Sequence, residues 1–338
     1  MNLVFVTFKF SHHGTHSGYD KLIDYFPDAK VINGQFYEKI LGIIQKQPNF
    51  IRKSLMRLIG NKRHWIEFWA ILKTKNEKDT VVHFLYPENQ YRYFGRMKGN
   101  RKVIATFHQP PEFYNNLSAK RRKNYQLIDK AIVVSRNMIN TIEKYVGEGK
   151  VVFIPHGVDT NFFKPVKNST NGNKKKVLTV GNWKRDFDLL VKVASKMMEI
   201  DSSVTFEIIS IEDNKKKFKG LRNVKFRCNI SDEDLLEAYH KSCLLFLPLL
   251  DCTANNALLE GLACGLPILV TDVGGVRDYA DDSSVSYCNN NMPVDTICKL
   301  ILKGCGKYRN VNISYIDKFN WNNISKTIIK QYESLKIK

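Results

Sequence analysis

LLFLPLLDCTANNALLEGLACGLPILVTDVGGVRDYA, residues 244–280, decides the fold. It holds two apolar runs, Leu244–Leu250 and Ile268–Val270, short and rich in Leu, Ile and Val, as strands buried on both faces are. Each run stops at a polar loop. Between them Asn255 or Asn256 can cap a helix carrying Ala257, Leu258, Leu262 and Ala263, which Gly265 and Pro267 end. The second run gives way to Asp272, Gly274 and Gly275, then to a further helix start. Strand, loop and helix in immediate repetition is the pattern of a parallel doubly wound sheet, whose ligand loops lie at the carboxyl ends of its strands.

Glu260 lies about one turn into that helix. Free N–H groups at the helix start favour phosphate or sugar oxygens, and an ionised carboxylate can only accept hydrogen bonds. An anion site beside such an acceptor suits a nucleotide sugar. The same residues also fit a plainer role, with Glu260 supporting its own capping region and Gly274–Gly275 making a tight turn.

The stretch NALLEGLACGLPILVTDVGG resembles the donor-binding segment of the retaining family 4 glycosyltransferases, which have the two-domain GT-B fold. In that family two glutamates eight positions apart contact the donor. The second falls on Glu260 and the first on Cys252, so the chain departs there, with Asp251 as the adjacent acid. The resemblance implies donor contacts at Asn255, Asn256, Ala257, Leu258, Glu260, Gly274 and Gly275. Glu260 would hold the ribose hydroxyls, and Asp251 or backbone groups around Ala254–Asn256 would hold the transferred sugar.

Working outward, Asn2–Phe10 reads as a first strand, followed by SHHGTHSGY. Gly14 and Gly18 let backbone approach a ligand closely, and family members carry a glycine-rich loop here. The histidines of this loop match no zinc spacing, and no metal site is expected. Thr80–Tyr86, Lys102–Phe107 and Ala131–Ser135 read as further strands of a parallel sheet. His108 follows one of them directly, a ligand position, and matches a family histidine that contacts sugar or phosphate. In VVFIPHGVDTNFFKP the family's usual Asn is His156. The run Lys167–Lys176 reads as a linker. Beyond it, strand Val177–Val180 leads through Gly181, Asn182, Trp183, Lys184, Arg185 and Asp186 into a helix. The family clamps the donor diphosphate in this loop with an Arg and a Lys. Asn182 takes the usual Arg position, so Lys184 and Arg185 remain as the cations, at a helix N-terminus. NVKFRCNISDEDLLEAY resembles the segment beside the nucleotide base, with Cys228 where glycine is usual.

The 338 residues suffice for two α/β domains, and 43% hydrophobic content excludes extended disorder. The opening residues lack the basic leader and cleavage site of a signal peptide, and no apolar run reaches the roughly 18 residues of a spanning helix. The seven cysteines all lie in the C-terminal half without CxxC pairing, which suggests reduced thiols in a cytoplasmic protein. A net charge of +20 attracts polyanions, whether nucleic acid, an anionic membrane face or phosphorylated substrates. Gln45–Lys78 carries nine basic residues against Glu67 and Glu77, interleaved with Trp65, Phe68 and Trp69 at helical spacing. It reads either as a helix lying on an anionic membrane or as an ordinary amphipathic helix packed on the N-terminal sheet. Lys120–Lys123 adds a second basic run.

The expectation is a GT-B fold of two doubly wound Rossmann-like domains facing across a cleft. Residues 1–166 would form the acceptor side and residues 167–321 the donor side, with a helix at about 322–338 packing back on the first domain. The function it implies is retaining transfer of a sugar from a nucleoside diphosphate to an acceptor hydroxyl. The setting would be cell-surface polysaccharide or glycolipid synthesis, peripheral on the inner face of the cell membrane. Lys184, Arg185, Asp251 and His108 would serve catalysis, with Gly14, Gly181 and Asn182 among the donor contacts. No cofactor beyond the nucleotide sugar is expected; the acceptor would be a saccharide or lipid-linked. A GT-B sugar-nucleotide epimerase stays open, as does a DNA-modifying glycosyltransferase or nucleic-acid-binding protein.

Overall fold

The computed structural model describes residues 1–8, 14–59, 62–166, 175–280, 282–283, 285–307 and 312–335. It divides into two compact units, each built on a six-stranded parallel sheet. The first unit comprises Met1–Ser11, Tyr19–Ile154 and Ser325–Lys338. Its strands are β1 (Asn2–Val6), β2 (Lys30–Ile32), β3 (Thr80–Phe84), β4 (Lys102–Phe107), β5 (Lys130–Val133) and β6 (Val151–Phe153), in the order β2-β1-β3-β4-β5-β6. Buried β3 carries a histidine, and His83 is satisfied on both sides. Its Nδ1 meets the Tyr332 hydroxyl at 2.7 Å and its Nε2 the Thr106 hydroxyl at 2.8 Å, as a polar group in a core requires. Tyr332 belongs to the helix Trp321–Glu333, whose residues from Ser325 onward group with this first unit.

The second unit comprises His12–Gly18 and Pro155–Ile324. Its strands are β7 (Lys176–Val180), β8 (Thr205–Ile209), β9 (Val224–Arg227), β10 (Leu244–Leu247), β11 (Ile268–Thr271) and β12 (Val285–Cys288), in the order β12-β11-β10-β7-β8-β9. The central strands are buried on both faces: Leu245 and Leu247 enter one core cluster, Leu244 and Phe246 the other. Strand order reverses between β7 and β10, so the helices that follow these two strands pack on opposite faces of the sheet, the place where a doubly wound sheet leaves a crevice at its strands' carboxyl ends.

The unit boundary falls at Ile154, before the linker that the sequence suggests. Residues 155–166 are tied to the second unit: Val158 donates its N–H to the Phe319 carbonyl at 2.7 Å, and the Phe163 ring packs edge-on to Tyr239. Residues 167–174 lie outside the described residues, as do Lys9, Phe10, His12 and His13. Strand pairing in β10 ends at Leu247 rather than Leu250 because Pro248 has no N–H for the ladder. Gln45–Lys78 is not one helix: it begins on the last residue of the helix Gln35–Gln45 and holds two further helices whole, Asn49–Ile59 and Lys62–Thr74. The second of these buries Ile66, Ala70 and Ile71, together with Glu67. Glu67 Oε1 accepts the backbone N–H groups of Arg92, Tyr93 and Phe94 at 2.6–2.7 Å, so one of the segment's two acids is structural. The helix start read after Gly275 is a three-residue 3-10 turn, Val276–Asp278.

Candidate active site

The loops after β7 and β10 are knitted together at the crevice of the second unit. Asp186 donates its N–H to the Pro248 carbonyl, and Leu250 donates to the Lys184 carbonyl, both at 2.9 Å. Arg185 runs inward beneath them. Its Nε donates to the Val180 carbonyl at 2.9 Å, Nη1 to the Trp183 carbonyl and Nη2 to Asn255 Oδ1, both at 3.3 Å. Gly181 has a φ of +99°, and a Cβ there would lie 2.9 Å from Arg185 Nη2, so the position needs glycine twice over. Burial lowers the Arg185 guanidinium to about 10, against the opposing pull of the Glu260 carboxylate, and leaves it charged at neutral pH. Lys184 holds a left-handed φ of +52°, and Asp186 caps the helix Phe187–Ile200 through the Leu189 N–H at 2.9 Å. Asn182 is half-buried in the same loop.

Asn255 caps the next helix, Asn256–Ala263, and joins it to Arg185. Its Oδ1 accepts the Leu258 N–H at 3.2 Å as well as Arg185 Nη2. Its carbonyl takes the Leu259 N–H, which leaves those of Asn256 and Ala257 without a hydrogen-bond partner among the described residues. One turn on, Glu260 is only 4% exposed. The buried Tyr239 hydroxyl donates to its Oε2 at 2.7 Å, and the Ser17 hydroxyl to its Oε1 at 2.6 Å. Burial, then the Glu260 charge, push the Tyr239 phenol well above its ordinary range, so it remains a proton donor. A small pocket beside Glu260 is lined by His16, Ser17, Gly18, His156, Asn256 and Leu259.

The loop after β10 and the loop after β11 meet at Cys252. Asp251 Oδ1 accepts the Cys252 N–H at 2.8 Å, and the Cys252 thiol points to the Val273 carbonyl at 3.7 Å. Burial raises that thiol to about 12, so the position where the family carries a glutamate holds a neutral, buried group. Gly274, with a φ of +55°, sits so close that a Cβ would lie 2.1 Å from the Cys252 carbonyl oxygen and 2.6 Å from Asp251 Oδ1. The Gly275 N–H is spent on the Cys252 carbonyl at 2.8 Å. The turn after Gly275 therefore begins with its first N–H already paired, and the two glycines here join one ligand loop to the other.

His108 belongs to the first unit, at the carboxyl end of β4. Its Nε2 meets the Leu85 carbonyl at 2.8 Å, so in the neutral ring that nitrogen carries the hydrogen. Its backbone N–H goes to Glu88 Oε1 at 2.6 Å, and the rings of Tyr19 and Tyr86 flank it at 4.8 Å. Gly181, Asn182, Lys184, Arg185, Asp251, Asn255–Leu258, Glu260, Gly274 and Gly275 all stand on the carboxyl-end loops of the second unit, or in the first turns of the helix that follows β10. Gly14 groups with the same unit, where a Cβ would collide with the Asp232 carboxylate. Sequence reasoning missed Ser17, Tyr239 and Glu88. Tyr239 reads as one more apolar residue of a helix, and nothing local connects Ser17 to a carboxylate 243 positions away.

The architecture is shared with known enzymes. Alr3699/HepE from Anabaena, solved with UDP and glucose, superposes with a TM-score of 0.72 at 12% identity, over 99% of this chain and 100% of that one. A glycosyltransferase from Rickettsia africae gives 0.70 at 15% identity, over 98% of both chains. The fold is therefore GT-B, with two Rossmann-like units. Residues 33–162 match the family described as Glycosyltransferase Family 4, and residues 174–301 match Glycosyl transferases group 1. A phosphatidylinositol N-acetylglucosaminyltransferase polypeptide from Arabidopsis thaliana is 27% identical over 230 residues, 62% of this chain and 51% of that protein. The chain thus spans about half the length of that curated relative. Together these matches support a glycosyltransferase of the family 4 type, and they favour neither an epimerase nor a nucleic-acid-modifying enzyme.

Gly274→Ala tests whether the meeting of the two loops matters to the site. The added methyl must push the Cys252 carbonyl aside, a cost of about 1–3 kcal/mol for forced overpacking. The expected result is a lower melting temperature together with UDP binding weakened about tenfold or more; wild-type values for both would contradict the packing described here.

Proposed function

We propose that this chain moves a sugar from a nucleoside diphosphate to an acceptor hydroxyl, with retention of anomeric configuration. The observation that carries the reading is the convergence of Arg185, Asn255 and Glu260 at the β7–β10 crossover, where a doubly wound sheet binds ligands. Retaining transfer in this class needs stabilisation of the negative charge that grows on the departing diphosphate. Lys184 and Arg185 supply cationic donors for it, and the N–H groups of Asn256 and Ala257 supply neutral ones. Glu260 is the acceptor for ribose hydroxyls. Asp251 is the carboxylate next in sequence to the position of the family's first glutamate and is assigned to the sugar, and His108 takes the family histidine's role of contacting sugar or phosphate. UDP and glucose bound to the Anabaena relative support a uridine nucleotide as the first donor to try.

The test compares two variants by calorimetry and turnover. Glu260→Gln should weaken UDP and UDP-sugar alike by about tenfold or more, because a ribose contact is made in the ground and transition states together. Asp251→Asn keeps an oxygen for the Cys252 N–H, so the loop stays braced while the charge is lost. It should slow transfer about tenfold with UDP affinity little changed. Wild-type UDP affinity in Glu260→Gln would reject the nucleotide assignment, and full activity in Asp251→Asn would leave the sugar to backbone groups.

A lipid-linked acceptor at an anionic membrane is the setting that the helix Asn49–Ile59 favours. Phe50 is 74% exposed and Met56 is exposed beside Arg52 and Lys53, so apolar and basic groups share an uncovered surface. No helix among the described residues is long and apolar enough to cross a membrane. Vesicles containing anionic lipid should sediment the protein, with binding lost at high salt and in Phe50→Asp. Equal sedimentation with neutral vesicles would contradict this role.

A further inference from the structure

The segment Gly14–Gly18 follows β1 in the chain, yet it groups with the second unit and reaches Glu260. Contacts to two elements of that unit hold it. Asp232 Oδ2 accepts the N–H groups of Thr15 at 2.6 Å and His16 at 3.2 Å. His16 Nδ1 meets Asp159 Oδ2 at 2.8 Å, and the His16 ring stacks on Phe162 with centroids 3.8 Å apart and planes 4° from parallel. Thus anchored, the segment aims the Ser17 hydroxyl at Glu260 Oε1.

Two donors on the Glu260 carboxylate, Tyr239 and Ser17, differ in kind. Tyr239 is fully buried in the core of the unit and holds Oε2 from below. Ser17 is half-buried, on a short irregular segment held by the partly exposed Asp232 and by the buried Asp159. A serine hydroxyl and a ribose hydroxyl are the same kind of donor, and the carboxylate is too enclosed for a ligand to reach Oε1 while Ser17 covers it.

We propose that Ser17 is a built-in competitor for the ligand hydroxyl that Glu260 binds, so that the Gly14–Gly18 segment must leave the carboxylate before a nucleoside diphosphate is held. This rests on the reading of Glu260 as the ribose acceptor. The apparent affinity for nucleotide is then the intrinsic affinity reduced by the fraction of molecules in which the segment has withdrawn. Ser17 thereby sets how much nucleotide is needed to occupy the site.

UDP is the probe, titrated by calorimetry into the full chain and its variants, each checked for wild-type melting. Ser17→Ala should bind UDP about tenfold more tightly, the lower end of the effect of one hydrogen bond to a carboxylate. Asp232→Ala, which releases the segment without touching Glu260, should tighten binding in the same direction, and Ser17→Thr, which keeps the hydroxyl, should behave as wild type. Unchanged or weaker UDP binding in Ser17→Ala would overturn the proposal, the weaker case making Ser17 a ligand contact or an orienting group instead. Glu260→Gln measured alongside separates the two levels: wild-type UDP affinity there removes the ribose assignment and this proposal with it. Weakened binding there, with no gain in Ser17→Ala, removes the competitor alone.

Discussion

Two backbone pairings, Leu244 with Val177 and Leu245 with Leu178, set β7 and β10 side by side, and the candidate site depends on them. Because strand order reverses at this pair, the helices that follow pack on opposite faces of the sheet, and the two loops beyond the strands meet at the switch point. They are fastened by the Asp186–Pro248 and Leu250–Lys184 backbone bonds and by Arg185, three of whose donors are fixed on Val180, Trp183 and Asn255. A guanidinium that is held this way keeps its position without a ligand, the preorganisation that electrostatic stabilisation of a leaving group needs.

A carboxylate as enclosed as that of Glu260 has to find donors, since burying an unsatisfied acceptor costs several kcal/mol. Tyr239 provides one that cannot leave. Ser17 provides another, and the contrast between a core donor on Oε2 and a loop donor on Oε1 makes the first permanent and the second exchangeable. At Cys252 the opposite solution appears: the thiol is neutral and points to the Val273 carbonyl, and the adjacent carboxylate, Asp251, accepts the next residue's N–H.

What the sequence made legible follows from how local each signal is. Leu244–Leu247, Ile268–Thr271 and the helix between them are dense apolar runs bounded by Asn, Gly and Pro, and they read correctly as strand, helix and strand. The strands Lys30–Ile32, Val151–Phe153 and Val285–Cys288 did not stand out. All three lie at sheet edges, and an edge strand of three or four residues needs little apolar content. The helix cap, at Asn255 or Asn256, and Gly181 as a loop glycine are legible because capping and positive φ are properties of single residues; the fold places the cap at Asn255. The tie between Ser17 and Glu260, the Tyr239 hydroxyl, and the Glu67 carboxylate beneath three N–H groups are not legible, because each exists only once distant segments are folded together. The Gln45–Lys78 segment was misjudged as one helix for a related reason: its basic count describes composition, while the packing of Ile66, Ala70 and Ile71 decides which half is covered.

Glu260, in the second unit, stands at the centre of the functional reading as the acceptor for the ribose hydroxyls of a nucleoside diphosphate. Its most direct test is a calorimetric comparison of UDP with 2′,3′-dideoxy-UDP on the unmodified protein. The two ligands share base and diphosphate, so the difference isolates the hydroxyls. UDP should bind, and the dideoxy analogue should bind about tenfold or more weakly, the effect of losing a hydrogen bond to a charged acceptor. Equal affinity for the two would contradict the assignment.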